Sequence, residues 1–241
     1  MCGRFVSATP PDRLAAYFDA EPPPPGHTLP LRYNVAPTSE VYGVYAPDGR
    51  RHLDTFHWGL VPFWARDPSI GNRMINARAE SVADKPAYKR AFARRRCLVP
   101  VDGFYEWTTV PGRRRKQPWY ITRVDDEPLA LAGLWESWRD PDRTDDEGHP
   151  LELHSLTIIT GDPNEDVAPV HDRMPVILPP AAWEEWLDPD ERDTERLRRL
   201  LRPAPAGLLV VRPVSTEVND ARHEGPELIE PVELDSAETR D

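Results

Sequence analysis

Cysteine is nearly absent from this 241-residue chain, which has only Cys2 and Cys97. Two thiols cannot build a disulfide framework, and without an export signal the expectation is a reducing compartment where both stay free for chemistry. Long apolar runs are missing too. None approaches the roughly 18 residues that span a bilayer, and residues 1–5 lack the charged-then-apolar order of a signal peptide. The expected location is therefore the cytoplasm. There is no GxxxxGK phosphate loop, no GxGxxG dinucleotide fingerprint and no Cys/His pairing at zinc spacing, so neither cofactor nor metal is expected. No internal repeat is visible. The length suits one large domain, placed at residues 1–233, with a polar tail at 234–241 expected to fray.

Basic residues are outnumbered overall, and the net charge of −11 by itself argues against a nucleic-acid partner, because Lys and Arg supply most of that affinity. The average conceals a division. Residues 66–123 carry 14 basic against 5 acidic side chains, a local +9, leaving −20 for the remainder. An anionic partner would meet this basic middle. On charge alone, the runs at 94–96 and 113–116 read equally well as solvated surface.

β-Branched and aromatic stretches separated by turn residues predict strands at 41–46, 52–60, 97–107, 118–123, 129–138, 153–160, 174–178 and 208–213. Asp48-Gly49 and Pro111-Gly112 mark reversals into antiparallel neighbours. Helices are expected at 10–18, capped by Thr9, and at 86–95, 180–187 and 190–201. The fold class is α+β, a mostly antiparallel, barrel-like sheet with peripheral helices. Residues 140–150, acidic and poor in apolar side chains, are expected to form a mobile surface loop.

Cys2 sits where removal of Met1 would leave an α-amine and a thiol on one residue, a 1,2-aminothiol. The amine, with a reference pKa of about 7.7–8.0, is partly neutral near pH 7 and can attack an aldehyde; the thiol can then close a five-membered thiazolidine. Taken alone, Cys2 reads more readily as an incidental small residue after the start codon. Glu106 lies in Gly103-Phe104-Tyr105-Glu106-Trp107, where strand alternation puts it on the side of Phe104. A carboxylate there is either a general acid or base or the partner of an arginine. His171 precedes Asp172-Arg173-Met174-Pro175 at the entrance to a strand, a place for a titrating imidazole, though a lone loop histidine is usually surface. Asn76 offers an amide that can hold a reacting group, and Arg78 a guanidinium that can fork onto phosphate. Trp58, Trp64 and Trp107 offer flat faces to bases if they are not core.

Together with Met1-Cys2-Gly3-Arg4-Phe5, Tyr33-Asn34-Val35-Ala36-Pro37-Thr38, Trp58-Gly59-Leu60 and Asn76-Ala77-Arg78-Ala79-Glu80, these blocks run in order to Glu227-Leu228-Ile229-Glu230-Pro231-Val232. The chain resembles the SOS response-associated peptidase (SRAP) family over nearly its whole length. The resemblance implies an abasic-site processing protein, a monomer that crosslinks to abasic sites in single-stranded DNA through Cys2 after self-processing removes Met1. It also implies lyase activity and, when bound to DNA, association with the nucleoid. By the same resemblance, Cys2, Asn76, Glu106 and His171 are the catalytic residues. Arg4, Arg78 and Arg173 would grip phosphates, and Pro37 and Trp64 would wedge or stack against bases. The acidic stretch 140–150 and the charges of Glu217 and Asp220 depart from the pattern. Two other functions fit the residues: a cysteine peptidase using Cys2, His171 and Glu106 on other proteins, and a module that binds a modified base without forming a bond.

Overall fold

A computed structural model describes residues 2–110 and 115–234. Twelve strands are found among them: β1 (Phe5–Ser7), β2 (Arg32–Val35), β3 (Glu40–Tyr45), β4 (His52–Trp58), β5 (Asn76–Arg78), β6 (Arg96–Val101), β7 (Gly103–Thr108), β8 (Gln117–Arg123), β9 (Leu129–Thr144), β10 (Pro150–Gly161), β11 (Met174–Pro175) and β12 (Leu209–Pro213). Four α-helices accompany them: α1 (Pro11–Phe18), α2 (Lys89–Arg94), α3 (Pro180–Leu187) and α4 (Thr194–Leu200). One sheet is open, in the order β12-β8-β7-β1-β2. In the other, β10-β4-β3-β6-β9 closes on itself because β9 also pairs with β10, giving a five-stranded barrel that β5 and β11 extend along β10. Pairing is antiparallel except where β10 meets β4 and β5.

Residues 97–107 read as one strand, but Asp102 divides them between the two sheets. Its carboxylate accepts from the amides of Ala8 (2.6 Å) and Thr9 (3.1 Å) and from the Thr9 hydroxyl. Those bonds tie the junction of β6 and β7 to the segment that follows β1. They also correct the expectation that Thr9 caps α1. That helix has Pro10 at its N-cap position without a side-chain cap, and begins with Pro11 in the first turn, where a missing N–H costs nothing.

Residues 140–150 are not a loop. Strand β9 continues through Thr144 and β10 begins at Pro150, so the acidic stretch is the end of a β-hairpin, turned by Asp145 accepting from the amides of Glu147 and His149. Charged side chains suit such a projecting edge, where both faces are wet. The Asp48-Gly49 reversal joins β3 to β4, with Gly49 at φ 83°. Pro111-Gly112 and the tail at 235–241 lie outside the described residues. The run 94–96 has three fates: Arg94 is exposed, Arg95 half-buried, and Arg96 buried, donating to the carbonyls of Phe92, Trp186, Asp188 and Glu191.

Strand alternation separates the cores. One apolar cluster, under α1 and α3, holds Phe18, Val44, Leu53, Phe92, Leu98 and Trp186. A second, between the barrel and the open sheet, holds Cys2, Phe5, Trp58, Phe104, Ile121 and Leu156. A third covers the other face of the open sheet with Val6, Tyr105, Tyr120, Val218 and Leu228. In β7, Phe104 enters the second cluster and Tyr105 the third, as a period of two requires. No helix among the described residues is long and apolar enough to cross a membrane.

Candidate active site

Four segments bring together the residues singled out from the sequence. Strand β1 pairs with β7 at Phe5–Phe104, and the Tyr105 amide donates to the Arg4 carbonyl at 2.9 Å, so the chain leading back from Phe5 runs alongside Glu106 toward Cys2. Cys2 is fully buried against Phe5, Trp58 and Phe104. Asn76, on β5, donates from Nδ2 to the Cys2 carbonyl at 2.8 Å. Its own position is set by pairing with Ile158 of β10 and by the Tyr88 hydroxyl donating to its carbonyl at 3.3 Å. Among the described residues, the buried Asn76 Oδ1 has no hydrogen-bond partner.

Glu106 is 2% exposed, and its Oε2 lies 3.6 Å from Nε2 of His171. His171 is carried by a turn that the buried Val167 and Asn164 anchor: Asn164 accepts from the Val167 amide at 3.1 Å and donates to the Pro205 carbonyl, and the His171 amide returns to the Val167 carbonyl. The Arg173 amide donates to His171 Nδ1 at 2.9 Å. A neutral ring therefore has its proton on Nε2, facing Glu106. The Asp172 carboxylate, also 2.9 Å from Nδ1, is exposed and becomes an acceptor only when the ring is charged.

Burial tunes all three titrating groups. It lifts Glu106 from 4.5 to about 6 and lowers the His171 imidazole, so two groups that ordinarily differ by some two units approach a common proton affinity. It also pushes the Cys2 thiol up, with the Glu106 charge adding to the rise. The sulfur is thus held as a thiol, and the Glu106 charge opposes its ionisation.

The three arginines differ. Arg78 is exposed on β5, two residues beyond Asn76, with no ion pair among the described residues. Arg4 is half-buried, donating to Asn34 Oδ1 (2.7 Å) and the Val218 carbonyl (2.9 Å) and lying 5.9 Å from the Trp107 ring. Arg173 forks onto Glu80 and donates to the Thr160 carbonyl at 2.8 Å. Pro37 stands in the turn whose next residue, Thr38, donates to the Trp58 carbonyl. Trp64, 50% exposed, is in the loop leaving Trp58. That loop is pinned at Gly59, where a Cβ would sit 2.6 Å from the Gly71 carbonyl oxygen. The Pro37 turn is thus bonded to the last residue of β4, and Trp64 lies in the loop that β4 leads into. Trp58 offers no face to a base. It is fully buried, 4.8 Å from Phe5, and donates to the Ile75 carbonyl. Trp107, bonded to Asn219, lines a cavity of about 850 Å³ with Lys116, Glu217 and Asp220.

Asn34, Glu80 and Asn164 were not singled out as site residues. Asn34 is fully buried and donates to the carbonyls of Asp220 (3.0 Å) and His223 (2.9 Å), tying the C-terminal segment to β2. The signal for it was a polar residue inside the strand-like Tyr33-Asn34-Val35. Glu80 stood in the same block as Asn76, but nothing local reveals a partner 93 residues away.

Residues 1–221 match the family described as SOS response associated peptidase (SRAP). The chain belongs to the SRAP family. This SRAP chain is 38% identical to the abasic site processing protein YoqW of Bacillus subtilis over 230 residues, covering 95% of this chain and 99% of that one. It is 33% identical to the Escherichia coli abasic site processing protein YedK, covering 96% and 100%. It is 37% identical to the abasic site processing protein HMCES of Gallus gallus over 78% of this chain and 60% of that one. A crystal structure of a Bacteroides thetaiotaomicron protein has the same fold, with a TM-score of 0.81 at 25% identity, covering 96% and 100% of the two chains.

Proposed function

We propose that this SRAP protein processes abasic sites in DNA and does so by making Cys2 part of the product. The observation that carries the reading is the anchoring of the Cys2 carbonyl by Asn76 at 2.8 Å beside a buried Glu106 that faces a partly exposed His171. The names of YoqW, YedK and HMCES supply the substrate class.

Hydrolysis of the Met1–Cys2 bond, a self-processing step, frees the α-amine. His171, in its imidazolium form, gives the Nε2 proton to the ring oxygen of the abasic deoxyribose, and the C1 hydroxyl returns a proton to the imidazole as the ring opens to the aldehyde. The amine attacks the aldehyde carbon and water leaves, giving an imine. The thiol is neutral, so it follows rather than leads: as sulfur bonds to the imine carbon, its proton passes by way of Glu106 to the nitrogen. The net change is one lost water and a thiazolidine. Loss of the 3′ phosphate from the imine stage would be the lyase side reaction. Arg78 and, where their internal bonds yield, Arg4 and Arg173 hold flanking phosphates, while Pro37 and Trp64 press on neighbouring bases of a single strand. The protein acts as a monomer.

The test is a denaturing gel with intact mass. Mature protein and single-stranded DNA with one abasic site should give a heat-resistant adduct weighing the sum of the two less one water. No adduct, or a thiazolidine adduct formed equally by Cys2→Ala, overturns the reading.

A further inference from the structure

Away from Cys2, a cavity of about 500 Å³ opens on the face of β9 and β10, walled by Phe63, Arg90, Arg95, Trp135, Arg139 and His154. Phe63 is 47% exposed, and the Arg90 guanidinium lies 4.2 Å from its ring. Arg95 stands 5.3 Å from the Trp135 ring, held there by the buried Glu136. Neither Arg90 nor Arg139 has a carboxylate partner among the described residues, whereas Glu152 on the same wall accepts from Ser137. Burial lowers Arg95 and the like charge of Arg90 lowers it further, while the Glu152 carboxylate offsets part of the effect. The wall is built rather than loose. Trp138 of β9 donates to the Ala65 carbonyl at 2.7 Å, and Ser155 of β10 accepts from the Val61 amide at 2.9 Å, fastening the loop that carries Phe63 and Trp64.

We propose that this cavity is a second nucleotide site, taking one unpaired nucleotide of the DNA strand whose lesion reaches Cys2. Flat aromatic faces and unpaired guanidinium groups are the two components of single-strand binding, the one for bases and the other for phosphates. The volume suits a single small ligand. A duplex would present phosphates and leave the Phe63 and Trp135 faces unused, so the occupant is an unpaired base. The site adjoins the proposed wedge directly, since Phe63 and Trp64 are consecutive. The inference rests on the proposed processing of abasic single strands, but its test does not depend on crosslinking.

Undamaged fluorescent oligothymidylates of about 5 and about 12 nucleotides, within the range of strand lengths such surfaces cover, would be titrated by anisotropy against the full chain and against Phe63→Ser and Arg139→Glu. Wild type should prefer the longer strand, and each variant should lose about tenfold on that strand while binding the shorter one as before. Thermal melting within a degree or two of wild type would show that these exposed substitutions leave the fold intact. A length preference that survives both variants overturns the site. Equal losses on a blunt duplex of the same length overturn its assignment to an unpaired base. If the length effect holds while no adduct ever forms on abasic DNA, the second site stands and the crosslinking chemistry falls.

Discussion

The guanidinium of Arg173 meets both carboxylate oxygens of Glu80, one of them at 2.9 Å, and so ties the turn bearing His171 to the strand bearing Asn76. A forked pair fixes orientation as well as distance. Glu80→Gln should slow adduct formation about tenfold through misplacement of His171, while costing under about 1 kcal/mol of stability because the pair is partly solvated. Arg173→Lys should not rescue the rate, since an ammonium cannot fork. Single-turnover time courses and DNA titrations check this. An unchanged rate with tighter DNA binding would mean that Glu80 merely restrains a phosphate ligand.

Glu106 has a higher proton affinity folded than unfolded, so the fold gains from its protonation. The stability tied to that proton is fully present below about pH 4.5 and is lost as pH rises through about 6. Glu106→Gln escapes the loss. Its unfolding free energy relative to wild type, read from denaturant titrations, should therefore climb between pH 4.5 and 7 by a margin on the order of 2 kcal/mol, while thiazolidine formation disappears. A difference that is flat with pH would contradict a buried carboxylate at this position.

Asn76→Ala removes the donor to the Cys2 carbonyl and should slow crosslinking by about ten- to a hundredfold, with Asn76→Asp worse because it sets a carboxylate against a carbonyl oxygen. Rates that rank Asp above Ala would place the role of Asn76 elsewhere than at that bond.

Trp64 and Trp58 stand six residues apart and should respond oppositely. Trp64→Ala, at a half-exposed site, should leave the melting temperature unchanged and weaken binding to abasic single strands about tenfold. Trp58→Ala should cost about 3–5 kcal/mol of stability through the cavity it leaves. Denaturant unfolding and anisotropy separate the two.

Arg78→Ala should lower affinity for all sequences alike and reduce the slope of log affinity against log salt by about 1. Titrations at several salt concentrations measure it; an unchanged slope removes Arg78 from the phosphate contacts.

Most of the barrel was legible because its strands are β-branched, aromatic and apolar runs bounded by turn residues, buried throughout at 96–101 and over long stretches of β9 and β10. Short strands escaped. Phe5–Ser7 and Asn76–Arg78 have three residues each, too few to show a period, and they exist only because β7 and β10 offer them edges. Residues 140–150 misled because their acidity describes how a hairpin meets water, not whether its backbone pairs. Cys2, Asn76, Glu106 and His171 were visible as polar groups in unlikely places and through the family resemblance. The Glu80–Arg173 bond and the Phe63–Arg90 wall were not, since each joins segments whose proximity only the closed barrel creates.

Strand β7 is a partition with Glu106 on one side and Tyr105 and Trp107 on the other. Sliding it by one residue would aim an indole at the thiol and strand a carboxylate among Val6, Tyr120 and Val218. A slipped strand would therefore remove the carboxylate from the thiol that the proposed chemistry sets it beside. A protein whose proposed act is to attach itself to DNA would have its safety catch in the pleat of a single strand.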